Sequence, residues 1–142
     1  MSNTNNSPAD ADKIALETRV AMVPLCRRTD ERGSLLPLDW ESLPFTPRRI
    51  FTVSGVPAGT VRGGHGHRTC AQLLVAIAGE IEVQLAHGGE RRRVLLTPES
   101  PALLVRAGVW FSQTYLGEGA VLLVLASEPY NAAAMFDDPE QA

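Results

Sequence analysis

Only two cysteines occur among the 142 residues, Cys26 and Cys70. They could close at most one disulfide, and nothing in the chain resembles a secretory signal. The composition therefore excludes a disulfide-stapled scaffold and fits a reducing cytoplasm. Cys70 reads as an idle or buried thiol rather than a nucleophile. No apolar run approaches the roughly 18 residues of a membrane-spanning helix, so no membrane is expected as a partner. An excess of positive charge is missing too: the formal net charge is -3, which excludes a broad nucleic-acid footprint. The one basic run, Arg91-Arg92-Arg93, follows the turn-like His87-Gly88-Gly89 and reads as the solvated start of a strand. There is no internal repeat at solenoid spacing, no P-loop and no dinucleotide fingerprint; the glycines from Gly55 to Gly64 lack the G-x-G-x-x-G spacing that cradles a pyrophosphate.

What is present is an ordinary globular composition, 44% apolar and 20% charged, of a length that buries one core and leaves no room for a second. Residues 1–17 are expected as a loose leader, because Asn, Ser, Asp and Ala cannot bury enough surface to offset their ordering entropy. Residues 18–136 are expected as one domain, and residues 137–142 as a small acidic tail that frays after Phe136. Between the ends, no stretch holds helical periodicity for long. In Glu80 to Leu85 the residues Ile81, Val83 and Leu85 alternate with Glu80, Glu82 and Gln84, the pattern of a strand with one buried face. Gln72 to Ala78 and Ala120 to Ala126 are nearly continuous apolar runs, expected as strands covered on both faces. Further strands are expected at Arg49 to Val53, Arg93 to Leu96, Leu103 to Val105 and Val109 to Leu116, with breaks at Gly55 to Gly59, Gly79, Thr97 to Pro101, Gly108 and Gly117 to Gly119. Many short strands at this spacing predict an all-β, jelly-roll type barrel.

The chemistry-bearing residues gather at Arg62-Gly63-Gly64-His65-Gly66-His67. In an extended strand His65 and His67 point to the same face, with Gly66 turned away. Two adjacent imidazoles can bind a metal or move protons, since an unperturbed histidine titrates near pH 6.5, about the working pH of a cell.

The spacing Gly59, five residues, His65, one residue, His67, four residues, Gln72, six residues, Gly79 resembles the first motif of the cupin superfamily, G-x5-H-x-H-x3-4-E-x6-G, with Gln72 in place of the glutamate. The second cupin motif would align on Arg106, Gly108, Phe111 and Tyr115, without its proline, histidine and asparagine. Metal cupins use three histidines and a glutamate. Here Gln72 and Phe111 stand where the carboxylate and third imidazole would be, which leaves a weak donor set, so neither a metal nor any other cofactor is expected.

A narrower resemblance runs from Asp30 to Tyr130. Asp30-Glu31-Arg32-Gly33-Ser34-Leu35, Leu43-Pro44-Phe45 with Arg48-Arg49, the Arg62 to His67 segment, Gln72, Gly108-Val109-Trp110, and Val124-Leu125-Ala126-Ser127 with Tyr130 resemble the metal-free, WxcM-like cupins that act as 3,4-ketoisomerases on dTDP-4-keto-6-deoxy sugars. The resemblance implies a cupin barrel that moves a ketone from C4 to C3 of a dTDP-linked sugar without a redox cofactor, and a homodimer. It implies His67 as base with His65 as partner or shuttle, and Arg32, Arg49 and Arg62 as candidates to hold the diphosphate or the enediolate. Gln72, Trp110 and Tyr115 join them as candidate substrate contacts, Trp110 and Tyr115 being open to a core role as well. Family members commonly carry a tyrosine after the Arg49 position and a histidine after the tryptophan; Phe51 or Thr52 and Phe111 stand there. A sugar-nucleotide epimerase, a non-catalytic sugar-nucleotide binder and a metal-dependent cupin dioxygenase are the alternatives.

Overall fold

Alternation along the chain becomes layering in space. The computed structural model describes residues 15–142; most of the expected leader, residues 1–14, lies outside the described residues. The strands are β1 (Val20–Val23), β2 (Arg28–Asp30), β3 (Gly33–Leu35), β4 (Arg49–Val53), β5 (Val61–His67), β6 (Gln72–Ala78), β7 (Ile81–His87), β8 (Glu90–Leu96), β9 (Ala102–Val105), β10 (Trp110–Tyr115), β11 (Val121–Ala126) and β12 (Met135–Phe136). They form two five-stranded antiparallel sheets, ordered β1-β9-β6-β11-β4 and β12-β5-β10-β7-β8, and a separate β2-β3 hairpin. The all-β, jelly-roll expectation holds.

Ile81, Val83 and Leu85 of β7 are essentially inaccessible and pack between the sheets against Leu74, Leu103, Val105, Leu122 and Val124. The two-sided burial expected of β6 and β11 also holds, for a reason visible only in space. Their inner residues, Leu74, Ala76, Leu122 and Val124, face the barrel. The outer ones, Leu73, Val75 and Leu125, are covered by Leu36, Leu38, Leu43 and Phe45 from the segment ahead of β4. Arg91, Arg92 and Arg93 lie exposed on β8, an edge strand, where charge discourages pairing with other chains.

Both ends of the barrel differ from expectation. Leu16, assigned to the leader, is 2% exposed within the core, because a short 3-10 turn, Leu16–Thr18, folds it under β1. At the other end the chain does not fray after Phe136. Met135 and Phe136 pair with His67 and Gly66 of β5, Pro139–Gln141 forms a 3-10 turn with Asp138 capping the Glu140 N–H, and the Gly88 N–H donates to the Ala142 carbonyl at 3.0 Å. Composition alone could not show this, since two strand hydrogen-bond partners and one buried aromatic ring anchor an otherwise polar segment.

Candidate active site

Strand β5 carries both histidines, and its glycines decide what those side chains can do. Between Phe111 and Ser112 of β10 the register slips: Phe111 faces His65 and Ser112 faces Gly63, so Gly64 is an extra residue, a β-bulge. Gly63 and Gly64 have φ of 77° and 78°, a left-handed conformation that only glycine adopts readily. A side chain at Gly63 would also run into the amide of Gln113. Beyond the bulge the strand alternates normally, with His65 and His67 on the inner face and Gly66 on the outer.

Both imidazoles line one cavity of about 300 Å3, together with Arg49, Arg62, Gln72, Phe51, Phe111, Gln113, Tyr130 and Met135. Four walls meet there: β5, β4 with Arg49 and Phe51, β6 with Gln72, and β10 with Phe111 and Gln113. Arg49 is held by two rings, its guanidinium lying 4.7 Å from the Phe51 centroid and 5.1 Å from that of Tyr130, as cation–π attraction favours. Gln72 is only 6% exposed, its amide in the wall beside His67. The half-buried His67 packs near Phe111, ring centroids 6.4 Å apart. Burial holds its pKa below the ordinary histidine value of 6.5, His65 and Arg49 push the same way, and Glu128 opposes them. A neutral imidazole is therefore favoured near pH 7, in the form that accepts a proton.

His65 has a partner that the sequence did not reveal. Its Nδ1 lies 2.7 Å from Oδ1 of Asp137, in the segment expected to fray. The Trp110 indole N–H donates to the Asp137 backbone carbonyl at 2.9 Å. Trp110 thus lies on the outer face of β10, opposite Gly66, and is absent from the cavity wall. Its candidacy as a substrate contact is corrected: alternation puts Phe111 and Gln113 inward and Trp110 outward.

Tyr115 is corrected likewise. It is fully buried in the barrel core, with no protein partner for its hydroxyl among the described residues, and its pKa is raised by burial, with Arg62 opposing. It points inward as Phe111 and Gln113 do, but it sits at the end of β10 remote from the histidines. Arg32 belongs to the β2-β3 hairpin, where it pairs with Asp30 at 2.7 Å and borders a different depression. Within this chain it does not reach the histidine cavity.

Asp137, Gln113, Tyr130 and Met135 escaped the sequence-based choice of site residues. Gln113 was accessible in principle, two residues from Phe111 on an alternating strand. Nothing local marks Asp137 or Met135. As a metal site the arrangement fits poorly: two imidazoles, an amide and a phenyl ring, with a guanidinium facing one of the imidazoles. Among the described residues no group of three or more His, Cys, Asp or Glu side chains converges. Among the same residues, no helix is long and apolar enough to cross a membrane.

The family described as "FdtA: WxcM-like, C-terminal" matches residues 18–141. A TDP-4-oxo-6-deoxy-alpha-D-glucose-3,4-oxoisomerase of Aneurinibacillus thermoaerophilus is 29% identical over 103 residues, 72% of this chain and 74% of that protein. Among solved structures, a variant of the QdtA 3,4-ketoisomerase of Thermoanaerobacterium thermosaccharolyticum, in complex with TDP-4-keto-6-deoxyglucose, superposes with a TM-score of 0.80 at 28% identity, covering 86% of this chain and 89% of that one. The WlaRB TDP-quinovose 3,4-ketoisomerase of Campylobacter jejuni gives 0.77 at 28%, covering 85% and 94%.

Proposed function

Since the chain belongs to the FdtA, WxcM-like C-terminal family, we propose that it is a 3,4-ketoisomerase of a dTDP-linked 4-keto-6-deoxyhexose, working without metal or redox cofactor. The observation that carries this reading is the convergence of His65, His67, Arg49, Arg62 and Gln72 on one cavity.

The C4 ketone acidifies the C3 hydrogen. A neutral His67, kept so by burial and by the charge of Arg49, removes that proton and leaves an enediolate. Arg49 lines the same cavity, where a fixed cation stabilises the developing oxyanion. Arg62, on the rim, supplies a guanidinium fork for the diphosphate. Gln72 hydrogen-bonds a sugar hydroxyl. Protonation at C4 completes the shift and yields a 3-keto sugar, ready for amination at C3 in deoxy- or amino-sugar and polysaccharide biosynthesis. Phe51 and Phe111 close the cavity with apolar rings, so proton handling rests on His65 and His67. The enzyme acts in the cytoplasm as a homodimer; the exposed apolar residues Met22, Ile50 and Ile77 on the β1-β9-β6-β11-β4 sheet support pairing with a second copy.

The test is solvent exchange. With dTDP-4-keto-6-deoxyglucose in D2O, deuterium enters the sugar ring and the carbonyl moves to C3, and His67→Asn abolishes both, as followed by NMR. Tight binding without exchange would make the protein a binder, and inversion of configuration without carbonyl migration would make it an epimerase.

A further inference from the structure

Gln113 is a buried amide with no protein group to bond. It is 8% exposed, and among the described residues no side-chain hydrogen bond involves its carboxamide. The group lines the cavity that holds the histidines. An amide carries two N–H donors and a carbonyl acceptor, and leaving it buried without partners costs free energy. The cavity, and whatever fills it, is its source of partners.

The bulge in β5 sets the orientation of this amide. A methyl group at Gly63 would lie 2.9 Å from Nε2, 3.1 Å from Oε1 and 3.2 Å from Cδ of Gln113. Distances so alike place the flat face of the carboxamide against the glycine. Its hydrogen-bonding directions, which lie in the amide plane, therefore run alongside Gly63 rather than into it.

Strand register fixes where along the substrate the amide falls. On β10, Phe111 is opposite His65 and Gln113 is opposite Arg62, with both β10 side chains facing inward. Gln113 thus stands one inward step, roughly 7 Å, from the histidine level and toward Arg62. In the ketoisomerase reading the reacting C3 and C4 lie at the histidines, and the diphosphate, carried by C1, lies at Arg62. Between C1 and C3 is C2, and its hydroxyl is the group on that edge of the ring that both gives and accepts a hydrogen bond. The other edge runs from the ring oxygen through C5 to the C6 methyl and has no hydrogen to donate. It suits the apolar wall of the other sheet, where Phe51 pairs with Val124 and Val53 with Leu122.

We propose that Gln113 is a specificity-determining residue that hydrogen-bonds the C2 hydroxyl of the hexose, so that the protein selects sugars that keep this hydroxyl. The proposal rests on the ketoisomerase reading, which gives the direction of the ring in the cavity. A ligand without O2 leaves the amide buried and unpaired in the complex, which is how a site built around a hydroxyl rejects the analogue lacking it.

Three ligands that cannot isomerise test it by calorimetry: dTDP-6-deoxyglucose, dTDP-2,6-dideoxyglucose and dTDP, each with the full chain and with Gln113→Met. Methionine keeps the length of the side chain and removes its polar edge. The wild type binds the 6-deoxy sugar about 10- to 100-fold more tightly than the 2,6-dideoxy sugar, the scale of one buried polar group left without its partner. Gln113→Met binds the two sugars equally and holds dTDP as the wild type does. With dTDP-4-keto-6-deoxyglucose the same substitution raises KM by a similar factor with a smaller change in kcat, because Gln113 touches no reacting atom. A merely structural role would lower kcat and dTDP affinity together. Equal binding of the two sugars by a wild type that moves the carbonyl overturns the proposal alone, as does an undiminished preference in Gln113→Met or a matching loss of its dTDP affinity. A wild type that shows the preference but moves no carbonyl sinks the ketoisomerase reading and leaves Gln113 as the residue that reads O2.

Discussion

Phe136 occupies the space over Gly66 that any side chain at that position of β5 would need. The glycine between the two histidines is therefore the seat of the C-terminal strap, as well as a residue turned away from the cavity. The ring on Gly66, the strand pair β5-β12 and the Trp110 indole together bring Asp137 to His65.

Gly66→Ala should expel the Phe136 ring and loosen β12. Overpacking of this kind costs about 1–3 kcal/mol, to be read from denaturant unfolding, and the strap's displacement should lower kcat as well. Phe136→Ala alone loses the buried ring. The double variant should be markedly less destabilised than the sum of the two, because the added methyl group then has nothing to strike. Additive losses would show that Gly66 and Phe136 act independently.

With His67 as the proposed base, its titration should set the acid limb of the pH profile. Its pKa lies below 6.5 through burial, His65 and Arg49, with Glu128 opposing, and only the neutral ring accepts the C3 proton. Activity should therefore fall as pH drops below the ordinary histidine range and stay level above it. Arg49→Met removes a positive charge that disfavours the imidazolium, so the limb should move to higher pH. Glu128→Gln removes a negative charge that favours it, so the limb should move lower. Profiles of kcat/KM for the three proteins check both signs.

Tyr115→Phe should leave KM for the nucleotide sugar unchanged, since Tyr115 is core rather than cavity wall. Its buried hydroxyl has no protein partner among the described residues, and removing an unsatisfied polar atom spares a desolvation cost of about 1–3 kcal/mol. The expected thermal midpoint is unchanged or higher. A clear drop in the midpoint, or a raised KM, would return Tyr115 to the site.

Much of this protein was legible before any coordinates. The period-two pattern of β7 and the apolar runs of β6 and β11 determined the all-β class, because a pleated strand sends alternate residues to opposite faces whatever surrounds it. The same rule placed His65 and His67 on one face, and the motif spacing put Gln72 beside them. Strands β2 and β3 carried no such signal, being three residues each and exposed throughout. Tertiary structure alone decided three matters. It turned Trp110 outward, because the register with Gly66 sets which face of β10 is inner. It buried Tyr115 in the core, away from the histidines, because strand β10 runs on past the cavity. It brought Asp137 to His65 across 72 residues of sequence, because a polar end with no hydrophobic period of its own is placed by the surface it lands on. Local pattern governs which way a side chain faces along its own strand; which remote group meets it depends on strand order and packing, and those are properties of the whole fold.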